Sequence, residues 1–145
     1  MIALIQRVNS AEVVVNKQCI ASISQGLLAF IGIEKTDKAE QIAKLVHKII
    51  HYRLFADNAD KMNLSVKDIQ GGILLVPQFT LAANTNKGLR PSFSSSAPPD
   101  IAETLFQQFV DTANQQFPSI ETGQFGADMK VSLINDGPVT FILKT

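Results

Sequence analysis

The segment PQFTLAA, residues 77 to 83, places polar side chains at the end of an otherwise apolar run, GGILLV. Side chains alternate between the two faces of a strand, so we expect Gln78 and Thr80 on one face and Phe79 on the other. The Thr80 hydroxyl is a candidate nucleophile, but such a hydroxyl needs a neighbouring base, and no base is evident beside it. On residue types alone, the segment is either the polar end of a strand or part of a functional site.

Two histidines have the best metal-ligand spacing in the chain. His47 and His51 stand on one face of a predicted helix, with Glu40 about two turns away. A zinc site needs at least three protein ligands, and a third close ligand is not evident. We therefore interpret the pair as surface histidines and expect neither a metal nor another cofactor.

Two common catalytic signatures are missing from the sequence. There is no Gly-x-Ser-x-Gly elbow that would present a serine nucleophile to a histidine base. The stretches GLLAFIG and GGILL lack the spacing and the Lys-Ser or Lys-Thr pair of a phosphate-binding loop. A serine hydrolase and a nucleotide hydrolase therefore have no support in the sequence.

A second unusual segment is NDGPVT, residues 135 to 140, which lies between two runs of alternating apolar and polar side chains. Proline has no backbone N–H and allows the preceding peptide bond to be cis, which occurs in about 5% of X-Pro bonds. Gly137 permits a close approach of the main chain because it has no Cβ. The segment is either an ordinary turn with a trans bond or a rigid corner with a cis Gly137–Pro138 bond.

Stretches rich in β-branched and apolar residues predict several strands. Asn9-Ser10 separates the first two stretches and predicts a hairpin, and NDGPVT is expected to join the last two in a closing hairpin. The run LLAFIGI is apolar on both faces, which is typical of a covered central strand. The predicted strands cover 2–8, 11–16, 19–23, 27–33, 71–82 and the runs FGADMKVSLIN and VTFILK.

Two amphipathic helices are predicted, near residues 37 to 51 and near 100 to 115. In the first, apolar residues recur at spacings of three and four after Thr36 or Asp37, either of which can cap a helix. The second opens at Pro98-Pro99-Asp100 and carries an apolar stripe. The long irregular segment before it, ANTNKGLRPSFSSSAPPD, is a candidate substrate lid.

The composition is typical of one globular domain that covers residues 1 to 145. The order of elements favours an α/β fold with mixed, largely antiparallel sheets and two covering helices. Lys plus Arg and Asp plus Glu both number 13, so the chain has no overall positive field to grip a long nucleic acid. Any contact with nucleic acid must therefore be local.

The expected compartment follows from the single cysteine and the first residues. Cys19 has no partner for an internal disulfide and is expected to be a small buried side chain in a reducing compartment. The stretch MIALIQRV is too short and too polar for a signal peptide or a membrane span. We therefore expect a cytosolic protein with no membrane association.

Five segments together resemble the D-aminoacyl-tRNA deacylase family. They are MIALIQRV, DKMNLS, PQFTLAA, KGLRPSF and TGQFGADMKVSLINDGPVTF, and the likeness covers essentially the whole chain. The most specific are the family signatures Ser-Gln-Phe-Thr-Leu and Asn-x-Gly-Pro-Val-Thr. The second is complete here, but Pro77 stands where the first has serine and offers neither that hydroxyl nor a backbone N–H.

The resemblance implies a three-layer ββα fold and an enzyme that hydrolyses the ester of D-aminoacyl-tRNA. Glycine mischarged onto tRNA is a further substrate to test. The resemblance also implies catalysis without a metal, by main-chain groups of Gln78, Phe79 and Thr80 together with the 2′-hydroxyl of the terminal adenosine. Aminoacyl esters are already activated, so positioning a water and stabilising the oxyanion can suffice.

The resemblance further implies a homodimer in which the corner Gly137–Pro138 enters the partner's site and selects D over L substrates. A steric gate must not yield, and a cis X-Pro bond gives a rigid corner that can aim carbonyl oxygens at a substrate ammonium group. Lys87 and Arg90, in the long loop, are candidate contacts to tRNA phosphates. A role as solvated loop charges is equally consistent with their sequence position.

Two other functions remain open at this level. An esterase with Thr80 as its nucleophile would form a trapped acyl-enzyme and would lose all turnover without that hydroxyl. A noncatalytic module that binds the acceptor end of tRNA would leave the ester intact. Release of the amino acid from D- and L-aminoacyl-tRNA distinguishes these functions from the deacylase.

Overall fold

In the computed structural model, which describes residues 1–86 and 88–145, the chain forms eight strands and two α-helices. The strands are β1 (Ile2–Val15), β2 (Gln18–Ile23), β3 (Gly26–Gly32), β4 (Phe55–Ala56), β5 (Met62–Leu64), β6 (Gly72–Pro77), β7 (Ile120–Thr122) and β8 (Lys130–Lys144). The helices are α1 (Ile42–His51) and α2 (Pro99–Gln116), and 3-10 turns cover Ala39–Gln41 and Phe79–Ala82. Both predicted helices are therefore present, and α2 starts with a proline, as predicted.

The main sheet is mixed. Its strand order is β2-β1-β3-β6-β7, and β8 also pairs with β1. The strand β1 is antiparallel to β2, β3 and β8, whereas β6 is parallel to both β3 and β7. The connection from β3 to β6 contains α1 and the short antiparallel pair β4–β5, as a parallel crossover requires. The prediction of a mixed, largely antiparallel α/β fold with two helices is confirmed.

Two hydrophobic cores lie on opposite faces of the central strands. Leu27 and Ala29 of β3 belong to the core that also contains the buried faces of α1 and α2. Leu28, between them, belongs to a second core with Val13 of β1 and Ala21 of β2. The prediction that this strand is covered on both faces is therefore confirmed, because alternate side chains enter different cores.

The two predicted terminal hairpins are wrong. The chain stays extended through Asn9-Ser10, and β8 continues through NDGPVT as a single strand antiparallel to β1. Gln6 pairs with Thr140 and Val8 with Asn135, so residues 136 to 139 bulge out opposite one residue of β1. A bulge bends a strand pair, and the bend lets each half of β1 and β8 pack into a different core.

The first helix begins later than predicted, because Asp37 has a different partner. This buried carboxylate does not cap α1, which begins at Ile42 after a 3-10 turn. It accepts hydrogen bonds from the α-ammonium group of Met1 and, at 2.7 Å, from the backbone N–H of Glu34. The ammonium group also lies 3.1 Å from Oε2 of Glu34. Asp37 therefore stabilises the turn after β3 rather than the start of a helix.

The strand predicted over 71–82 ends at Pro77, where its ladder with β3 also ends. Gln78 donates its backbone N–H to the carbonyl of Ile31 at 2.8 Å, and the chain then enters a 3-10 turn. Gly32 permits this path, since a Cβ at that position would lie 2.8 Å from Cβ of Leu81. The expectation that Gln78 and Thr80 share one face of a strand is therefore wrong.

Cys19 is exposed rather than buried. It lies in β2, which is an edge strand of the sheet. The first three residues of β2 are exposed, so apolar neighbours in the sequence did not make Cys19 buried. Within the residues described, no helix is long and apolar enough to cross a membrane.

Candidate active site

A cavity of about 410 Å³ opens beside the carboxyl end of β6. It lies between the start of the 3-10 turn, the first turn of α2 and the loop that joins β7 to β8. Its volume falls in the range of small-ligand sites. The residues that line it are Pro77, Gln78, Phe79, Ala97, Pro99, Ala102, Phe125, Gly126, Ala127 and Met129.

None of these lining residues has an ionisable side chain. Carboxylates with a lowered pKa occur at other places: a hydrogen bond from Asn63 holds the pKa of Asp57 below its usual value, and Ser65 does the same for the pKa of Asp68. The cavity must therefore act on a ligand through backbone groups, the amide side chain of Gln78 and groups that the ligand brings with it.

Two backbone donors are free at the edge of the cavity. The N–H group of Gln78 is occupied by Ile31, but those of Phe79 and Thr80 make no hydrogen bond to another described residue. The first N–H groups of a helical turn have no acceptor within the turn. The Gln78 side-chain amide donates to the Thr80 hydroxyl, which joins these side chains to each other. The turn thus presents two donors next to a residue that lines the cavity.

The segment 95–97 holds the 3-10 turn in place. Ser96, which is only 8% exposed, donates its hydroxyl to the carbonyl oxygen of Phe79 at 3.4 Å. The hydroxyl of Ser95 donates to the carbonyl oxygen of Ala82. Backbone hydrogen bonds join the same segment to the residues that follow β3. The free donors therefore stand on a backbone that is braced from two directions, as a preorganised site requires.

The Gly137–Pro138 peptide bond is cis, and both residues are exposed. Arg7 of β1 spans the bulge that contains them. Its Nε donates to the carbonyl oxygen of Asp136 at 2.9 Å and lies 3.2 Å from Oδ2 of the same residue. Its Nη1 donates to the carbonyl oxygen of Leu54 at 2.7 Å. The planar guanidinium fork thus ties the corner to β1 and to the loop after α1.

The remaining residues of the NDGPVT segment also shape its backbone. Gly137 has a φ of 145°, and a Cβ there would lie 2.6 Å from Cγ2 of Val139. Asn135 accepts a hydrogen bond from the backbone N–H of Val139 at 2.8 Å and donates to the Thr140 hydroxyl at 3.0 Å. Asn135, Val139 and Thr140 therefore hold the backbone of the corner in one geometry, and Gly137 and Pro138 stay exposed.

The structure brings together only some of the predicted site residues. Gln78 and Phe79 line the cavity, and Thr80 follows them in the same turn. Gly137 and Pro138 are absent from the residues that line it. Within one chain, the corner and the cavity are therefore separate features.

The structure places the candidate tRNA-binding and metal-binding residues on the surface, apart from Lys87, which lies outside the described residues. Arg90 is exposed in the long loop. His47 and His51 are exposed on α1 with their rings stacked at a centroid distance of 4.2 Å. In the part of the chain that the structure describes, no three or more His, Cys, Asp or Glu side chains are grouped to hold a metal ion.

Sequence reasoning missed the far wall of the cavity and the brace of the corner. Phe125 and Met129 were predicted within the strand FGADMKVSLIN, but that strand begins only at Lys130, and both residues lie in the loop before it. Gly123 makes room for this wall, since a Cβ there would lie 2.8 Å from the sulfur of Met129. Arg7 had a signal in the sequence, because it is a lone cation within an apolar strand.

Comparison with known proteins gives one consistent family. Residues 4–144 match the family model described as D-Tyr-tRNA(Tyr) deacylase. The chain is similar to D-aminoacyl-tRNA deacylases of Teredinibacter turnerae, with 57% identity, and Pseudomonas aeruginosa, with 54% identity, over 100% of each chain.

Two solved structures are also similar. The first, titled c-Myc DNA Unwinding Element Binding Protein, has a TM-score of 0.96 and 36% identity, with 100% of this chain and 99% of that chain covered. The second, a probable eukaryotic D-amino acid tRNA deacylase, has a TM-score of 0.87 and 15% identity, with 98% and 97% covered. At that identity the second likeness concerns the fold alone.

Proposed function

The chain belongs to the D-Tyr-tRNA(Tyr) deacylase family and is an enzyme that hydrolyses D-aminoacyl-tRNA, and we propose how its cavity and its corner divide this work. Water attacks the carbonyl carbon of the ester that joins the amino acid to the terminal ribose. The bond from that carbon to the ribose oxygen breaks, and this oxygen takes up a proton that the attacking water gives up. The products are a free D-amino acid and tRNA with its terminal hydroxyl restored.

The observation that carries the proposal is an apolar cavity with no ionisable side chain in its lining and with two backbone N–H groups at its edge that bond to no described residue. The N–H groups of Phe79 and Thr80 stabilise the oxyanion that develops on the ester carbonyl. Donors that are fixed before the reaction contribute most in a site from which water is excluded. The 2′-hydroxyl of the substrate, rather than a side chain, positions the attacking water.

Pro77 changes one contact within this scheme. It lines the cavity where relatives with the Ser-Gln-Phe-Thr-Leu signature have a serine, so it presents a ring instead of a hydroxyl. Proline also fixes φ, which stiffens the strand end just before the two donors. We therefore assign the oxyanion contacts to the backbone that follows Pro77, and none to its side chain.

Selection of D substrates is assigned to the exposed Gly137–Pro138 corner. The L and D forms differ in the positions of hydrogen and side chain at one carbon. A site that holds the amino group and the ester carbonyl therefore leaves one direction for the side chain, and a rigid corner in the other direction excludes the L form. The bracing of the corner by Arg7 and Asn135 supports this role, because a gate that yields does not discriminate.

A homodimer supplies the corner to the cavity, since the two are separate features within one chain. An apolar row runs across three strands beside the second core: Ile142 and Phe30 both pair with Leu4, and Leu4 and Phe30 are half-buried. Ile142 is 62% exposed although its neighbours are apolar. Such a row is suited to a self-complementary contact with a second copy, and its exposed member Ile142 lies on β8 shortly after the corner.

The test is release of amino acid from matched D- and L-aminoacyl-tRNA, with glycyl-tRNA as a third substrate. We expect rapid release from the D form and little from the L form. Mass spectrometry of the quenched reaction examines the alternative mechanism, because a Thr80 nucleophile would leave the aminoacyl group attached to the protein. Binding of D-aminoacyl-tRNA without release would show a noncatalytic module and refute the proposed function.

A further inference from the structure

Phe79 and Phe93 form an exposed aromatic pair at the edge of the cavity. Their ring centroids are 5.1 Å apart with an angle of 52° between the planes. Phe79 is 56% exposed and Phe93 is 43% exposed, although aromatic side chains of this size are usually largely buried. The pair is therefore a sizeable apolar surface that nothing within the described chain covers.

The pair continues the cavity outward. Phe79 lines the cavity, whereas Phe93 is absent from its lining and contacts Phe79 from outside. A ligand chain that leaves the cavity on this side must pass over Phe93. Arg90, three residues earlier in the same loop, is exposed.

The backbone holds both rings in position. Asn84 and Ser92 exchange two backbone hydrogen bonds, at 2.8 and 3.1 Å, which close the loop just before Phe93. The carbonyl oxygen of Phe93 then accepts a hydrogen bond from the backbone N–H of Ser96, and the hydroxyl of Ser96 donates to the carbonyl oxygen of Phe79. One serine thus links the two aromatic residues, so the platform is built into the loop rather than formed by chance contact.

We propose that Phe93, together with the outer face of Phe79, is a stacking platform for the nucleobase that precedes the terminal adenosine of the substrate. The inference rests on the proposed function, in which the cavity holds the aminoacylated end of a tRNA. The acceptor end of tRNA is single-stranded, so its bases are free to stack on aromatic side chains. A protein with zero formal net charge has little overall electrostatic attraction for RNA, so base stacking is a source of affinity that does not depend on net charge.

The test compares two substrates that differ only beyond the terminal nucleoside: D-aminoacyl-tRNA and D-aminoacyl-adenosine. In Phe93→Ala, we expect KM for the tRNA substrate to rise about 5- to 150-fold with little change in kcat. Because D-aminoacyl-adenosine has no preceding base, its kcat and KM should stay at the wild-type values. Phe93→Trp should restore KM for the tRNA substrate, since it replaces the aromatic face.

Leu89→Ala is the matched control, because Leu89 is a fully exposed apolar side chain in the same loop. It should leave both substrates unaffected. An equal loss on both substrates in Phe93→Ala, or no loss on either, would overturn the platform. A change in molecular mass of Phe93→Ala in solution would also overturn it, because the ring would then be a subunit contact. Thermal unfolding of each variant confirms that the comparison concerns folded protein.

Competition by short nucleotides provides a second measurement that does not depend on turnover. Cytidylyl-(3′→5′)-adenosine should inhibit the wild-type enzyme more strongly than adenosine alone, and Phe93→Ala should remove that advantage. Failure of the wild-type enzyme to hydrolyse either D substrate would refute the proposed function. Hydrolysis of both by wild type, with no difference between the substrates in Phe93→Ala, would refute the platform alone.

Discussion

At the scale of single residues, the backbone N–H of Thr80 is expected to matter more than its hydroxyl. Thr80→Val removes only the hydroxyl that Gln78 contacts, so kcat should stay within about tenfold of wild type. Thr80→Pro removes the N–H, in the first turn where proline is tolerated, and should lower kcat about 10²- to 10³-fold. Single-turnover kinetics measures both, with a thermal melt to check folding.

The same pair of variants separates the two mechanisms. Complete loss of hydrolysis in a folded Thr80→Val enzyme would favour a hydroxyl nucleophile and contradict the assignment to the backbone. Wild-type kcat in a folded Thr80→Pro enzyme would show that this N–H does not touch the oxyanion.

Gly137 is the second residue whose substitution has a predictable outcome. Gly137→Ala places a Cβ 2.6 Å from Val139 at a φ of 145°, so the corner must shift at a cost of roughly 1–3 kcal/mol. We expect a lower ratio of D to L hydrolysis. Gly88→Ala is the control, because Gly88 also has a positive φ but open space around it. A wild-type ratio of D to L hydrolysis in both Gly137→Ala and a folded Pro138→Ala would show that the corner has only a structural role.

At the scale of elements, the turn after β3 is expected to depend on one buried carboxylate. Asp37→Asn removes the buried one of the two carboxylates beside the Met1 ammonium group, and breaking a buried ion pair in this way costs roughly 3 kcal/mol. Glu34→Gln is the control, since Glu34 is partly exposed and its ion pair is worth at most about 1 kcal/mol. Urea unfolding measures both. Equal losses in the two variants would contradict the special role of Asp37.

At the scale of the whole molecule, the apolar row predicts a homodimer. Light scattering at micromolar concentration should give twice the mass of one chain for the wild-type protein. Ile142→Glu places a charge at the most exposed end of the row and should yield folded monomers, because the side chain is 62% exposed in a single chain. A monomeric wild-type protein would remove the basis for a site shared between subunits.

Mixing two variants with different defects tests whether each site is shared. Ala127→Phe fills the cavity and Gly137→Ala disturbs the corner, so each homodimer should have no intact site. If the corner acts in the partner's cavity, each mixed dimer has one intact site out of two. Random reassortment of equal amounts makes about half of the dimers mixed, so about a quarter of all sites should discriminate between D and L substrates as in the wild type. No recovery after mixing would place the corner and the cavity of one site on the same chain.

Local sequence patterns determined the two helices, the covered central strand and the segments that form the site. The helices were predicted from apolar residues at spacings of three and four, and β3 was predicted from a run that is apolar on both faces. Both patterns depend only on neighbours along the chain. The segments PQFTLAA and NDGPVT were also recognisable, because their residue types have special backbone properties wherever they stand.

Only the tertiary structure decided how these segments are used. Asn9-Ser10 and NDGPVT have residue types that are typical of turns, but pairing of β1 with β8 keeps Asn9-Ser10 in a strand and makes 136–139 a bulge. That pairing joins opposite ends of the chain. Asp37 is a residue type that often caps a helix, but here its carboxylate binds the buried ammonium group of Met1 instead of the backbone N–H groups of α1. The cavity draws its lining from three distant segments, so no local pattern contains it. Contacts between residues far apart in sequence decided what local preferences left open.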